Sequence, residues 1–219
     1  MRDDFIVGDS YVHGLELHGK DEINLDNPKI AYMLKRVTGK SVLDLGCVQH
    51  GRDAFLNKDW LHKAINMHAA SCKGLDLYEA GVNHLNTEGY DVIYGDAQDF
   101  DLKQKYEVIV AGDLIEHLEN FTGFFNSVSK NLANNGSLLI ATPNPWHWKR
   151  CIKGFLGKKI AVNPEHTCWF CPETLRLLAG RHNFEVVNVE YGSNRKKDAI
   201  VPLPSVVKHQ SFYAELIMK

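Results

Sequence analysis

A chain of 219 residues is long enough to bury a sizeable core and lies within the range of one domain, so a single domain over 1–219 is expected. Its 25 basic and 27 acidic residues leave a formal net charge of −2, which excludes a nucleic-acid or membrane surface held by bulk charge; any polyanion contact has to be local. The start, Met1-Arg2-Asp3-Asp4-Phe5, lacks the apolar core of a signal peptide, no apolar run approaches bilayer length, and Cys47, Cys72, Cys151, Cys168 and Cys171 show no paired spacing, so a cytoplasmic protein without a membrane span is expected.

Residues 1–40 read as an N-terminal cover. Short apolar alternation (Tyr11, His13, Leu15, Leu17) precedes a helix that starts at Asn27-Pro28, sets Ile30, Met33, Leu34 and Val37 on one face, and stops at Thr38-Gly39-Lys40. His13 and His18 have no local companions and read as surface or loop residues. Val42-Leu43-Asp44-Leu45 is an apolar run with one carboxylate that breaks at Gly46, the pattern of a buried parallel strand opening onto a ligand. Ligands of open α/β sheets bind outside the carboxyl ends of the strands, where a glycine lets the backbone approach closely. The loop continues Cys47-Val48-Gln49-His50-Gly51, and the spacing of Phe55, Trp60, Leu61, Ala64 and Ile65 predicts a crossover helix over 53–67.

A strand over 73–77 carries Asp76 and Leu77, with a helix behind it over 80–85. A third strand over 91–96 closes on Gly95-Asp96, and a fourth over 106–111 runs into Gly112-Asp113-Leu114-Ile115-Glu116-His117-Leu118. A helix over 121–132, a turn at 134–136 and a fifth strand over 137–142 follow. This alternation predicts an α/β, Rossmann-like doubly wound sheet with helices on both faces. Residues 143–171 form a lid or substrate-side insertion, with Trp146, Trp148, Phe155 and Leu156 among Lys149, Arg150, Lys153, Lys158 and Lys159; a basic amphipathic helix of this kind can also lie on a membrane surface. Cys168-Trp169-Phe170-Cys171 has no second cysteine pair and reads as buried packing rather than a zinc knuckle. Pro172-Glu173 opens a helix, 184–191 is a strand, 193–204 a loop in which Arg195-Lys196-Lys197 is a solvated charge run, and 211–218 a last strand that makes a late hairpin.

The first four strands end in Asp44 with Gly46, Asp76, Asp96 and Asp113. One such aspartate commonly caps the next helix. Four in succession point to a ligand, and an acid ending the second strand is placed to accept two ribose hydroxyls. A nicotinamide dehydrogenase would carry G-x-G-x-x-G after the first strand, which this loop lacks.

On Val42-Leu43-Asp44-Leu45-Gly46-Cys47, Gly74-Leu75-Asp76, Gly95-Asp96-Ala97, Tyr106-Glu107-Val108-Ile109-Val110 with Glu116-His117-Leu118, and Asn135-Gly136-Ser137-Leu138, the chain from Lys40 onward resembles the class I S-adenosylmethionine-dependent methyltransferases. The resemblance implies S-adenosylmethionine as cofactor and seven strands, mostly parallel with the last antiparallel. It further implies that Asp44, Gly46 and Cys47 face the methionine part, Asp76 the ribose, and Asp96 the adenine amine with Ala97 beside the ring. Leu77, Gly112 and Asp113 complete the cofactor set. The family usually has glycine where Val48 stands, and its next glycine one position before Gly51.

Methyl transfer from a sulfonium needs an in-line nucleophile, and a hydroxyl acceptor must also lose a proton to a base or beside a metal ion. On a helix after the fourth strand, Asp113, Glu116 and His117 would share a face, with His166 of Pro164-Glu165-His166-Thr167-Cys168 as a fourth group. This combination resembles the small-RNA 3′-terminal 2′-O-methyltransferases and the ubiquinone-pathway O-methyltransferases, whose pattern has glutamate where Asp113 stands. It implies a divalent metal, magnesium or similar, on Asp113, Glu116, His117 and His166. His117 and His166 also read as catalytic bases converging on the acceptor oxygen. The expected acceptor is a small molecule, a sugar or other polar metabolite hydroxyl, because no nucleic-acid module or extended basic face is visible; a phenol comes next and RNA third. Trp146, Trp148, Trp169 and Phe170 are candidates to stack on it. Val48 prompts the alternative of a cofactor-binding, inactive partner subunit.

Overall fold

The computed structural model describes residues 22–49 and 55–219; the alternation at 11–17, His13, His18, His50, Gly51 and the start of the helix expected from 53 lie outside the described residues. Strands β1 (Ser41–Leu45), β2 (Ser71–Asp76), β3 (Val92–Tyr94), β4 (Tyr106–Gly112), β5 (Leu132–Pro143), β6 (Phe184–Gly192) and β7 (Ser211–Met218) form one sheet in the order β3-β2-β1-β4-β5-β7-β6. The pairs from β3 through β5 are parallel, and β7 runs antiparallel to both β5 and β6. The late hairpin is therefore folded inward, with its second strand against β5.

Period-two alternation sorts the central strands onto two cores. Val42, Val108, Val110, Leu139 and Ala141 face α1 (Pro28–Val37) and α2 (Leu61–His68), meeting Ile30, Met33, Val37, Ala64 and Ile65. Leu43, Leu45, Ile109, Ala111, Leu138 and Ile140 face the other way, against Phe124, Phe125 and Val128 of α4 (Phe121–Asn131) and Leu175 and Ala179 of α6 (Pro172–Arg181). The helix α3 (Glu79–Thr87) joins Trp60, Cys47 and Val92 in a smaller cluster through Val82 and Leu85. The α1 helix starts where its sequence says it should: Asn27 accepts the Lys29 and Ile30 N–H groups, and Pro28 occupies the first turn.

Four expectations are corrected. The crossover helix occupies only Leu61–His68 of the described residues. The turn expected at 134–136 is an irregularity within β5, whose pairing jumps from Tyr106↔Leu132 to Val108↔Ser137. The helix expected to carry Asp113, Glu116 and His117 is a single 3-10 turn, Ile115–His117. A short helix, α7 (Lys196–Ile200), stands in the expected loop 193–204, ahead of α8 (Ser205–Lys208). Between β5 and α6, the lid segment folds as α5 (Trp148–Phe155), which buries none of its residues.

Candidate active site

Strand order reverses between β1 and β4, and the carboxyl ends of the strands open there into a cleft of about 1220 Å³. That exceeds the ~300–1,000 Å³ of an ordinary single-ligand pocket and gives room for a cofactor and an acceptor together. Asp44, Gly46, Cys47, Asp76, Leu77 and Asp96 line it, as do Ala97, Gly112, Asp113, Glu116, His117 and His166. Every residue expected from the sequence to hold cofactor or metal or to act as a base thus lines one cavity, but these residues fall into two groups with different physics.

The first group surrounds the ends of β1, β2 and β3. Gly46 turns the chain at φ +70°, and a Cβ there would sit 3.0 Å from Leu114 Cδ1. Asp76 is 9% exposed and already held by backbone: Oδ2 accepts the Val48 N–H at 2.8 Å and Oδ1 the Tyr78 N–H at 2.9 Å. Burial pushes its carboxyl up while these N–H bonds pull it back, for a net rise. The Val48 side chain, where a glycine is usual, lies against Gly81 of α3; a Cβ on Gly81 would collide with Val48 Cγ1. A glycine on the facing helix makes the space that the loop glycine would otherwise have left. Asp96 accepts the Gln98 N–H, and Gln98 Oε1 in turn accepts the Glu119 and Asn120 N–H groups, tying the loop after β3 to the start of α4. Ala97 is buried, and Leu77 stands half-exposed at the rim.

Alternation puts Asp44 on the α1/α2 side of β1, where its Oδ2 lies 2.9 Å from His62 Nδ1 of α2; both side chains are buried. Cys47 is no nucleophile: burial, with Asp44 and Asp76 nearby, pushes its thiol well up. Its carbonyl accepts the Trp60 indole N–H at 2.8 Å.

Asp113 corrects the expected ligand set. Its backbone is left-handed, φ +57°, and its Oδ2 accepts a 2.6 Å bond from Lys29 Nζ of α1 instead of joining Glu116 and His117. Burial alone would lower the Lys29 ammonium, but Asp113, with Glu116 and Asp44 behind it, raises it above an ordinary lysine. Lys29 was missed in the sequence, although it carried a signal: a cation in the first turn of a helix opposes the macrodipole and calls for a tertiary partner. Among the described residues, Lys29 and Arg150 are the lysine and arginine side chains lining the cleft.

The second group is Glu116, His117 and His166, whose potential ligand atoms all lie within 4.8 Å of one another. The backbone brings them together across fifty residues: the Thr167 N–H donates to the Glu116 carbonyl at 2.9 Å, and Thr167 Oγ1 donates to the Leu118 carbonyl at 2.8 Å. The His117 and His166 rings meet edge to face at 4.7 Å, and Glu165 Oε2 lies 4.0 Å from His117 Nδ1. Glu116 is 1% exposed; Oε2 accepts from Thr142 Oγ1 at 2.9 Å, while Oε1 is buried with no hydrogen-bond partner among the described residues. Burial, reinforced by Asp113, pushes the Glu116 carboxyl up to about 8. Burial holds the His166 imidazole below its ordinary value, against the pull of Asp113. At neutral pH His166 is a free base and Glu116 holds a proton much of the time.

The lid aromatics divide. Trp169 lines the cleft with the Arg150 guanidinium 4.4 Å over its ring, and Trp148 donates its N–H to Asp198 at 3.0 Å. Phe170 is buried against Phe121, so it belongs to the core rather than to a stacking platform. Cys168 packs partly buried on the core and Cys171 caps α6.

A family model for methyltransferase domains matches residues 23–189. Over 102 residues the chain is 26% identical to (S)-tetrahydroprotoberberine N-methyltransferase of Eschscholzia californica, a match covering 47% of this chain and 29% of that enzyme; the chain thus spans less than a third of that relative. Its fold is similar to a SAM-dependent methyltransferase from Archaeoglobus fulgidus (TM-score 0.60, 18% identity, 86% of this chain and 90% of that one). It is likewise similar to magnesium protoporphyrin IX methyltransferase of Synechocystis PCC 6803 with bound SAH (TM-score 0.60, 14% identity, 87% and 80%). A doubly wound sheet with acids at its strand tips and a cleft at the switch point is the architecture of a nucleotide-binding α/β domain. The chain belongs to the methyltransferase-domain family of class I S-adenosylmethionine-dependent methyltransferases.

Proposed function

We propose that the enzyme methylates oxygen, on a hydroxyl of a sugar or other small polar metabolite, with Glu116, His117 and His166 grouped around the acceptor oxygen. The observation that carries this reading is the convergence, on one wall of the cleft, of two imidazoles and a buried carboxyl whose Oε1 has no partner among the described residues. An alcohol is a poor nucleophile until its proton leaves, whereas a neutral amine already offers a lone pair; a proton-accepting cluster is needed for the first and superfluous for the second. In this reading Asp76 accepts the ribose hydroxyls, Lys29 meets the methionine carboxylate in place of Asp113, and the sulfonium methyl points toward His166. His166 takes the hydroxyl proton as the oxygen attacks. His117 orients the oxygen, and Glu116, held through Thr142, supplies a second proton site behind them.

The same three groups fit a divalent cation. One carboxylate and two imidazoles suit zinc or a first-row transition ion better than magnesium, which prefers oxygen ligands and water. Tetrahedral ligands at ~2.1 Å from a common ion stand about 3.4 Å apart, so the three groups, whose ligand atoms lie within 4.8 Å of one another, would have to draw together around it. Bound there, the ion would make an oxygen nucleophile available at neutral pH.

Methyl-labelled S-adenosylmethionine offered with panels of sugars, phenols and amines tests the proposal. Label on a hydroxyl oxygen, lost in His166→Ala, is expected. Label on nitrogen with every hydroxyl untouched, or a His166→Ala variant at full turnover, would refute it. Activity that survives exhaustive chelation would remove the cation and leave the bases. Tight cofactor binding without turnover on any acceptor would favour the inactive-subunit alternative.

A further inference from the structure

The acceptor side of the cleft is bounded by a surface that the methyl-transfer chemistry does not use. Along α5 the apolar residues Trp148, Cys151, Ile152 and Phe155 recur at helical spacing on one face, with Lys149 and Lys153 opposite. That face begins anchored to the protein, through Trp148 and Asp198, and then runs off it: Ile152 and Leu156 are about half-exposed and Phe155 is 92% exposed. Gly157, at φ +64°, reverses the chain, and Ile160 comes back alongside Gly154, so Phe155 and Leu156 form the tip of a protrusion flanked by Lys158 and Lys159.

The charge around this tip is one-sided. No aspartate or glutamate occurs from residue 120 to 164, although the whole chain carries a net −2. The segment after β6 is joined to the base of α5 by the Trp148 N–H on Asp198, and to the end of β5 by the Asn144 side-chain N–H on the Val206 carbonyl. It adds exposed Ile200 and Val206. Its one acid between 192 and 214, Asp198, is buried beneath His147 and Trp148. Exposed apolar residues on a lysine-rich, acid-free rim have a direct physical complement in an anionic bilayer surface: the apolar tip enters the headgroup boundary while lysines snorkel to the phosphates.

We propose that the α5 protrusion docks the enzyme on anionic phospholipid, with Phe155 and Leu156 inserted and Lys149, Lys153, Lys158 and Lys159 on the headgroups. A nucleic acid fits less well: Phe155 and Trp146 have stacking faces, but the exposed Ile152, Leu156 and Ile160 beside them do not, and Arg150 is turned into the cleft over Trp169. A second copy docking face to face would bring like charges together. Ala161, Val162 and Asn163 continue from the protrusion into the cleft wall, so docking would turn the cleft mouth toward the headgroup layer. If the O-methylation reading holds, on which this step rests, the acceptor is a polar hydroxyl carried on a lipid.

Co-sedimentation with vesicles of phosphatidylcholine alone and of phosphatidylcholine with phosphatidylglycerol separates the outcomes, with calorimetric S-adenosylhomocysteine binding recorded in parallel as a check on the fold. The full chain is expected to bind only the anionic vesicles and to release as salt rises. Lys158→Glu with Lys159→Glu should weaken partitioning by at least about twenty-fold, and Phe155→Ser should weaken it without changing its salt dependence, both with cofactor affinity intact. Absence of vesicle binding, equal binding by both variants, retention on a single-stranded RNA oligonucleotide instead of vesicles, or self-association alone would each overturn the proposal. None of these outcomes depends on turnover, so failure of the O-methylation reading would leave the docking result standing.

Discussion

The two halves of the cleft are built differently. On the side proposed for the cofactor, the carboxylates at the strand tips are already bonded before any ligand arrives: Asp76 accepts two backbone N–H groups and Gln98 bridges Asp96 to the start of α4, while His62 Nε2 behind Asp44 is buried with no partner among the described residues. On the side proposed for the acceptor, a carboxyl is itself left open: Glu116 Oε1 is buried and without a partner among the described residues, His166 is a depressed imidazole, and the walls come from a 3-10 turn and a loop joined by Thr167. The difference teaches where binding ends and chemistry begins. A preformed, saturated site recognises one constant ligand, whereas an unsatisfied buried group is stabilised only by what reaction or ligand brings to it.

If the halves are separable, changes in one should leave the other intact. The largest effect is expected from His117→Ala with His166→Ala: methyl transfer to a hydroxyl should fall by about a thousand-fold in single-turnover assays, a value within the range for acid–base groups. Asp76→Ala should weaken cofactor binding by about a hundred-fold by calorimetry, through lost charge-assisted bonds to the ribose. It should also lower stability in urea by ~1–3 kcal/mol, because the Val48 and Tyr78 N–H groups lose their acceptor.

Glu116 sharpens the comparison through pH. Its folded-state carboxyl, at about 8, lies above the ordinary 4.5, so the native chain holds a proton that the unfolded chain gives up. The resulting stability is complete below 4.5 and is lost as pH rises toward 8, on the order of 1 kcal/mol per pH unit within that window. Glu116→Gln should abolish this slope in pH-dependent urea melts. An unchanged slope would mean that the carboxyl is not buried in solution. The smallest effect is packing: Gly81→Ala should cost about 1–2 kcal/mol by forcing Val48 and Tyr78 aside, and adding Val48→Gly should recover the part due to Val48.

The sheet was legible because the first four strands announce themselves by an apolar run closed by an acid or glycine and the last by alternation; Val42 to Gly46 and Ser211 to Met218 fall where these patterns put them. Asp113, Glu116 and His117 were visible as a group but not as a shape. Spacing of three and four implies a shared helical face only if a helix forms, and the left-handed Asp113 backbone turns its carboxylate to Lys29 before the single 3-10 turn begins. Lys29 was hidden because its partner lies 84 positions away. Phe170 was misread for a related reason: an aromatic in a lid segment looks available until Phe121 is found against it. Val48 looked like damage to the cofactor loop, and only the facing Gly81 shows how it is accommodated.

Calorimetric titration of S-adenosylhomocysteine into three proteins, the wild-type chain, Asp76→Ala, and His117→Ala with His166→Ala, tests the division of the cleft most directly. The double histidine variant is predicted to bind within about twofold of wild type, while Asp76→Ala loses about a hundred-fold. Equal losses in both variants would contradict the division of the cleft into a cofactor half and an acceptor half.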